Sequence, residues 1–270
     1  MKKTIIILSI ILLAALSISS CTKVVDINLN EAASKIIIEG SIADLTSSCF
    51  VKLSKTVNFD EPNTFPAVSG AIIIITDDLG NTATLTETTD GIYTAPAFQG
   101  VVGRTYTISV TAEGKTYTAN STMPEPVAID TITQEIFYMG GFGGGDTNIF
   151  VSIKYHDPAG INNYYRFVEI INGIPSNAIH VDDDRLRDGN TITREIFERD
   201  SDLQTGDSVI VFLQTIDESV FDYFKMLDQL GGGGNGGQTA TPANPTSNFD
   251  NGALGFFSAN AVRSKKIIIQ

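Results

Sequence analysis

From Ser34 to about Met123 the chain is cut into short segments rich in Ile, Val, Thr and Tyr, with Gly, Asp, Asn or Pro recurring every eight to fifteen residues. Segments this short leave little room for helices, and β-branched side chains, which lose rotamer freedom in a helix, fit a pleated strand. Tyr106, Ile108 and Val110 alternate with Thr105, Thr107, Ser109 and Thr111, the period of a strand with one wet face. Asp90-Gly91 and Glu113-Gly114 mark tight reversals, as hairpins require. Ile36-Ile37-Ile38 and Ile72-Ile73-Ile74-Ile75 are unbroken apolar runs, read as central strands covered on both faces. Roughly seven segments in about 100 residues predict an antiparallel β-sandwich of immunoglobulin or fibronectin type over residues 34–124. The chain contains no Trp, so the Cys-Trp-Cys pattern of a true immunoglobulin domain is missing.

Met123-Pro124-Glu125-Pro126 stops a strand and stiffens a connection, which predicts a second, β-rich domain over residues 125–270. Its expected strands include Ile132 to Tyr138, Ile149 to Tyr155 with its odd positions apolar, Tyr164 to Ile171, Ile192 to Phe197 and Val209 to Leu213. One helix is expected over residues 217–230, where Val220, Phe221, Phe224 and Leu227 form a stripe at helical spacing. Thr215 or Asp217 is its candidate cap, and the stripe is read as core packing. Residues 231–248 are rich in glycine without periodicity and predict a flexible loop inside the domain. Two further strand segments, Ala253 to Ala259 and Lys266 to Ile269, follow.

The first twenty residues read as an address. Lys2 and Lys3 precede a nearly continuous apolar run from Thr4 to Ile18, and Ser19-Ser20-Cys21 closes it. That is the layout of a signal peptide over residues 1–20, and the run falls short of the roughly 20 apolar residues a bilayer span needs. Ile18-Ser19-Ser20-Cys21 resembles the bacterial lipobox, which implies Cys21 as the lipid attachment site and residues 21–33 as a lipidated tether. Acyl chains at about 0.8 kcal/mol per buried methylene would then hold a soluble body at a membrane surface. An ordinary secretory peptide with a chance cysteine is the alternative.

The remaining inventory excludes more than it suggests. A net charge of −13 disfavours nucleic acid, whose binding needs clustered Lys and Arg. With Cys21 committed to lipid, Cys49 has no disulfide partner and reads as a buried hydrophobe. The glycine clusters at 141–145 and 231–237 lack the strand-loop-helix setting and the Lys-Ser/Thr pair of a phosphate cradle. His156 and His180 are the two histidines, too few for a zinc hydrolase. His180 is followed by Asp182, Asp183, Asp184 and Asp188, oxygen-rich enough for calcium yet without EF-hand order, so a solvated acidic turn is the reading. No catalytic, cofactor-binding or metal residue is assigned, and no cofactor is expected.

Several segments together resemble a family of Bacteroidetes-type outer-membrane lipoproteins known as domain of unknown function family 4249. They are Val25-Asp26-Ile27 after Cys21, Ile36-Ile37-Ile38-Glu39-Gly40, Val68-Ser69-Gly70-Ala71, Gly91-Ile92-Tyr93, Gly103-Arg104-Thr105-Tyr106 and Gly114-Lys115-Thr116-Tyr117. The second half adds Asp157-Pro158-Ala159-Gly160, Asn163-Tyr164-Tyr165-Arg166-Phe167, Gly206-Asp207-Ser208-Val209 and the run Gly252 to Ala259. The resemblance implies an outer-membrane location and an accessory role beside TonB-dependent receptors, with no known catalytic residue. Thr22-Lys23-Val24-Val25-Asp26 lacks the dense acidic cluster of a surface-export signal, so the side of the membrane stays open. The functional expectation is a lipid-anchored envelope binding or accessory protein whose partner is a receptor or a glycan. The alternatives are an envelope glycan hydrolase with carboxylates dispersed in sequence and a purely structural envelope protein.

Overall fold

The computed structural model describes residues 33–58, 62, 64–139, 146–197, 203–230 and 244–270. Strand spacing in the first part follows the turn signals: β1 (Ile36–Ala43), β2 (Phe50–Lys55), β3 (Ile72–Asp77), β4 (Thr82–Thr84), β5 (Thr86–Thr89), β6 (Ile92–Thr94), β7 (Thr105–Ala112) and β8 (Lys115–Thr122). The second part holds β9 (Ile129–Met139), β10 (Asp146–His156), β11 (Tyr164–Ile171), β12 (Ile174–Pro175), β13 (His180–Asp183), β14 (Thr191–Ile196) and β15 (Ser208–Ile216). Helix α1 (Glu218–Leu230) and a 15-residue strand, β16 (Leu254–Ile268), complete it. The described residues are mainly β with one helix, as expected.

Among the described residues the strands form three sheets. A nine-stranded sheet has the order β12-β11-β15-β16-β1-β2-β6-β5, with β13 also on β11. A four-stranded sheet, β4-β3-β7-β8, and a three-stranded sheet, β14-β10-β9, accompany it. Ile38, Val51, Leu53 and Tyr93 of the large sheet meet Ile73, Ile75, Ile108 and Val110 of the four-stranded sheet in one core. Tyr165, Phe167, Val209, Val211 and Leu213 of the large sheet meet Val151, Ile153, Tyr155, Ile192 and Ile196 of the three-stranded sheet in a second. The result is two β-sandwiches built on one continuous sheet.

β16 makes that continuity. Leu254–Asn260 pairs parallel with Ile37–Ala43, and Ala261–Ile268 then pairs antiparallel with Ser208–Thr215. The two expected terminal segments are therefore a single strand. The division of 34–270 at residue 124 is also incomplete, because Phe249, Ala253, Phe257, Ala259 and Ala261 lie in the first core. Ser34–Gln270 forms one compact unit. Gly255 permits the junction: its φ is +95°, and a Cβ there would stand 2.0 Å from the carbonyl oxygen of Ile38, a position open only to glycine.

One expectation is corrected within the sandwich. Ile73 and Ile75 are fully buried, whereas Ile72 and Ile74 are 59% and 39% exposed. β3 is central in its sheet, between β4 and β7, but a two-layer sandwich covers only one face of each sheet. The isoleucine run therefore reflects strand propensity on its wet face and burial on the other.

Helix α1 lies on the outer face of the large sheet. Val220, Phe221 and Phe224 pack with Ile216, Tyr164, Val181 and Phe256, and the Arg166 guanidinium sits 4.1 Å from the Phe224 ring centre. Asp217 caps it, accepting the Val220 amide at 3.0 Å, while Thr215, the other candidate, is buried within β15.

Candidate functional site

The first sandwich uses its buried polar groups to hold its own loops. The Tyr93 hydroxyl donates to the Val68 carbonyl at 2.9 Å and accepts the Ala71 amide at 3.0 Å. The Tyr106 hydroxyl accepts the Val101 amide at 2.7 Å. Asp77 accepts the amides of Leu79 and Asn81 and the Asn81 side chain; this last bond, above all, keeps its carboxyl below the usual range. Cys49 is buried, and burial pushes its thiol up to about 11, so it is no nucleophile at neutral pH.

The second sandwich is different at one end, where the 157–163 and 184–190 loops interlock. Asp157 is fully buried. One of its carboxylate oxygens accepts the Tyr165 hydroxyl, and the other accepts the Gly189 amide at 3.0 Å. Asp184, also buried, accepts the Asn163 amide at 2.8 Å, and Asp188, exposed in its loop, accepts the Gly160 amide at 2.8 Å. Oxygens of Asp157, Asp184 and Asp188 lie within 4.8 Å of one another. Among the described residues none of the three forms an ion pair, since Arg185 and Lys225 approach Asp183 and Arg187 pairs with Asp182. These three carboxylates are the residues that could hold a hard cation through oxygen. Burial, and next the bond to Asp157, push the Tyr165 hydroxyl pKa far up, so it stays protonated and donates.

The acidic run that the sequence displays is dispersed by strand alternation. β13 pairs with β11 so that Asp182 stands opposite Tyr165 and His180 opposite Phe167, which turns both toward the core. Asp183 points the other way to Arg185 and Lys225, and Asp184 leaves the strand for the loop. His180, Asp182, Asp183, Asp184 and Asp188 thus do not gather into one oxygen-rich group, and the run is not simply a solvated turn, because Asp184 is buried; Asp184 and Asp188 instead join Asp157, which arrives from the end of β10. Finding that partner required the register of β10, β11 and β13, although Asp157 and Tyr165 both stand in the family-like segments.

Around His180 four buried atoms lack a hydrogen-bond partner: His180 Nε2, Asp182 Oδ2, Arg194 Nε and Tyr155 Oη. Arg194 pairs with Ile153 across the β10–β14 ladder, so it faces the same core. Burial, and then Arg194, hold the His180 imidazole down to about 4. His156 is exposed on the outer face beside Thr191, at 3.3 Å, as its strand position predicted. Two shallow surface grooves flank α1. One, of about 420 Å³, is lined by Asn120, Thr122, Asp217, Glu218 and Asp222; the other, of about 280 Å³, is lined by Lys225, Met226, Thr246 and Asn248 among others. Cys21 and most of the predicted loop, residues 231–243, lie outside the described residues. Asn248 is fixed, its side chain bonding both amide and carbonyl of Phe257 at 2.9 and 2.8 Å.

Fold and site together define a class: a tandem β-sandwich protein with a shared sheet, carrying a buried carboxylate cluster at one end. The family profile described as "Domain of unknown function (DUF4249)" matches residues 22–266, and the chain belongs to that family. No curated protein matches it. Among solved structures, a two fibronectin type-III domain segment from chicken tenascin is similar at 14% identity. The match covers 67% of this chain and 90% of that one, with a TM-score of 0.22.

Proposed function

We propose that this protein is a lipid-anchored accessory or binding protein of the bacterial cell envelope, held by Cys21 at the outer membrane and associated with TonB-dependent uptake. The observation that carries the reading is the order of the chain: Ile18-Ser19-Ser20-Cys21 follows an apolar run and stands shortly before Ser34, where the compact unit begins. Among the described residues no helix is long and apolar enough to cross a membrane. Loops at the ends of a rigid sandwich are where binding residues are usually placed, and the interlocked loops of the second sandwich expose Ile161 and Leu186 at 51% and 95%. The partner is a receptor or a glycan. The hydrolase alternative has weaker support, because Asp157 and Asp184 are buried and engaged with amides and a hydroxyl rather than open to a substrate.

Growth on labelled fatty acid tests the anchor. Label is expected on the native chain and absent after Cys21→Ser; a native chain without label overturns the anchoring. In-cell crosslinking then tests the partner, with capture of a TonB-dependent receptor as the expected result, and repeated capture of none would remove the uptake assignment.

A further inference from the structure

We infer that β1 and β16 form a shear clamp that lets the protein carry tension entering through its N-terminal segment; the use of this device rests on the tethered reading above, its mechanics do not. The chain enters β1 at Ser34, where the Ser34 hydroxyl donates to the Thr56 carbonyl at 2.8 Å and the Lys35 amide to Thr56 Oγ1 at 2.9 Å. β1 is an interior strand, paired antiparallel with β2 on one edge and parallel with β16 on the other. Because β16 runs in the same direction, a pull on the N-terminal segment against the C-terminal end of β16 draws the two strands apart along their common axis. All the inter-strand hydrogen bonds of the ladder then share the force and must fail together. Pulling adjacent strand ends sideways would instead open them one pair at a time.

Three contacts oppose sliding. Gly255 meets the Ile38 backbone so closely that no Cβ could fit between them, and the Phe257 ring lies over Gly40, where a Cβ would stand 3.1 Å from Phe257 Cδ2. At the far end of β1, Asp44 accepts the Val262 amide at 2.8 Å and pairs with Arg263 at 2.6 Å. A shift by one residue would also turn the buried face of β1 outward, carrying Ile36, Ile38 and Ile42 out of the core. The second half of β16 is in turn held along β15, so force delivered to the second sandwich reaches β1 through the same ladder.

The test is single-molecule pulling on residues 21–270, unlipidated, carrying Cys21→Ser and Asn251→Cys, with one handle fused ahead of residue 21; Cys49 is buried and does not compete for a thiol handle. One geometry pulls the N-terminal handle against a handle fused after Gln270. The other pulls it against the thiol introduced at position 251, next to the start of β16. The end-to-end geometry is expected to need at least about twofold more force at equal pulling speed, since forced unfolding reports the barrier along the loaded direction. Asp44→Ala is expected to lower the first force and leave the second unchanged. Equal forces in the two geometries overturn the clamp, and because that comparison uses a single chain, it stands even if Asp44→Ala fails to fold. Absence of lipid on Cys21 would overturn the anchoring alone and leave this measurement intact.

Discussion

The two sandwiches share a sheet yet differ in how fully their buried polar groups are satisfied. In the first, the hydroxyls of Tyr93 and Tyr106 end on backbone groups of neighbouring loops, the buried carboxylate of Asp77 is satisfied by Leu79, Asn81 and Arg104, and the core is aliphatic and aromatic. In the second, Asp157 and Asp184 are buried with no basic partner among the described residues, and His180 and Arg194 face the core with nitrogens unbonded. Neutral groups bonded to backbone stabilise a fold at small cost, whereas buried ionisable groups are expensive unless fully satisfied. The less fully satisfied buried ionisable groups thus lie in the second half.

The largest effect is expected where the halves join. Gly255→Val places side-chain atoms into the Ile38 backbone and should cost more than ~4 kcal/mol, abolishing cooperative unfolding in urea. Gly103, which also has a positive φ but open space around it, should lose only about 1 kcal/mol as alanine. Similar losses at both sites would mean that β16 is not seated as described.

Asp157→Asn comes next. An amide nitrogen cannot accept, so either the Tyr165 hydroxyl or the Gly189 amide loses its partner, for about 1–3 kcal/mol of destabilisation. Tyr93→Phe in the first sandwich should cost about 1 kcal/mol. A more stable Asp157→Asn protein would show that repulsion within the carboxylate trio outweighs its hydrogen bonds, reversing the contrast at that site.

His180 ties stability to pH. The folded protein keeps His180 neutral down to about 4, while an unfolded histidine protonates near 6.5. The unfolded chain therefore binds the proton first as pH falls. Stability that is complete above about 6.5 is lost progressively towards 4, on the order of 1–3 kcal/mol. Urea midpoints across that window should flatten in His180→Gln; equal profiles for native and His180→Gln proteins would place His180 in water. The smallest effect belongs to the Glu39–Lys52 pair at 3.1 Å, with both side chains more than a third exposed. Lys52→Ala should stay within ~0.5 kcal/mol, and a larger loss in thermal unfolding would indicate a hidden role in the large sheet.

Strand positions in the first sandwich were legible because each turn has its own local signal: Glu113 and Gly114 have positive φ and lie between two alternating segments. Helix α1 was legible for the same reason, with its stripe and its Asp217 cap close in sequence. Long-range pairing was not. Nothing near Leu254 announces that it lies beside Ile37, and nothing near Asp184 announces Asp157. The carboxylate trio depends on two loops whose meeting is set by β10, β11 and β13, whereas the run Asp182 to Asp184, conspicuous in sequence, is divided by strand alternation. A one-dimensional pattern reports which face a side chain takes but not which strand lies next to it.

The placement of β16 also bears on how the protein is made. A chain emerging from the ribosome N-terminus first has β1 to β8 complete long before Phe257 and Ala259 exist to fill the core between them. Pairing strands so distant in sequence is intrinsically slow, and an N-terminal half that cannot close early departs from the domain-by-domain order usual during synthesis. The first core of this polypeptide is therefore complete only when nearly all of it has been translated.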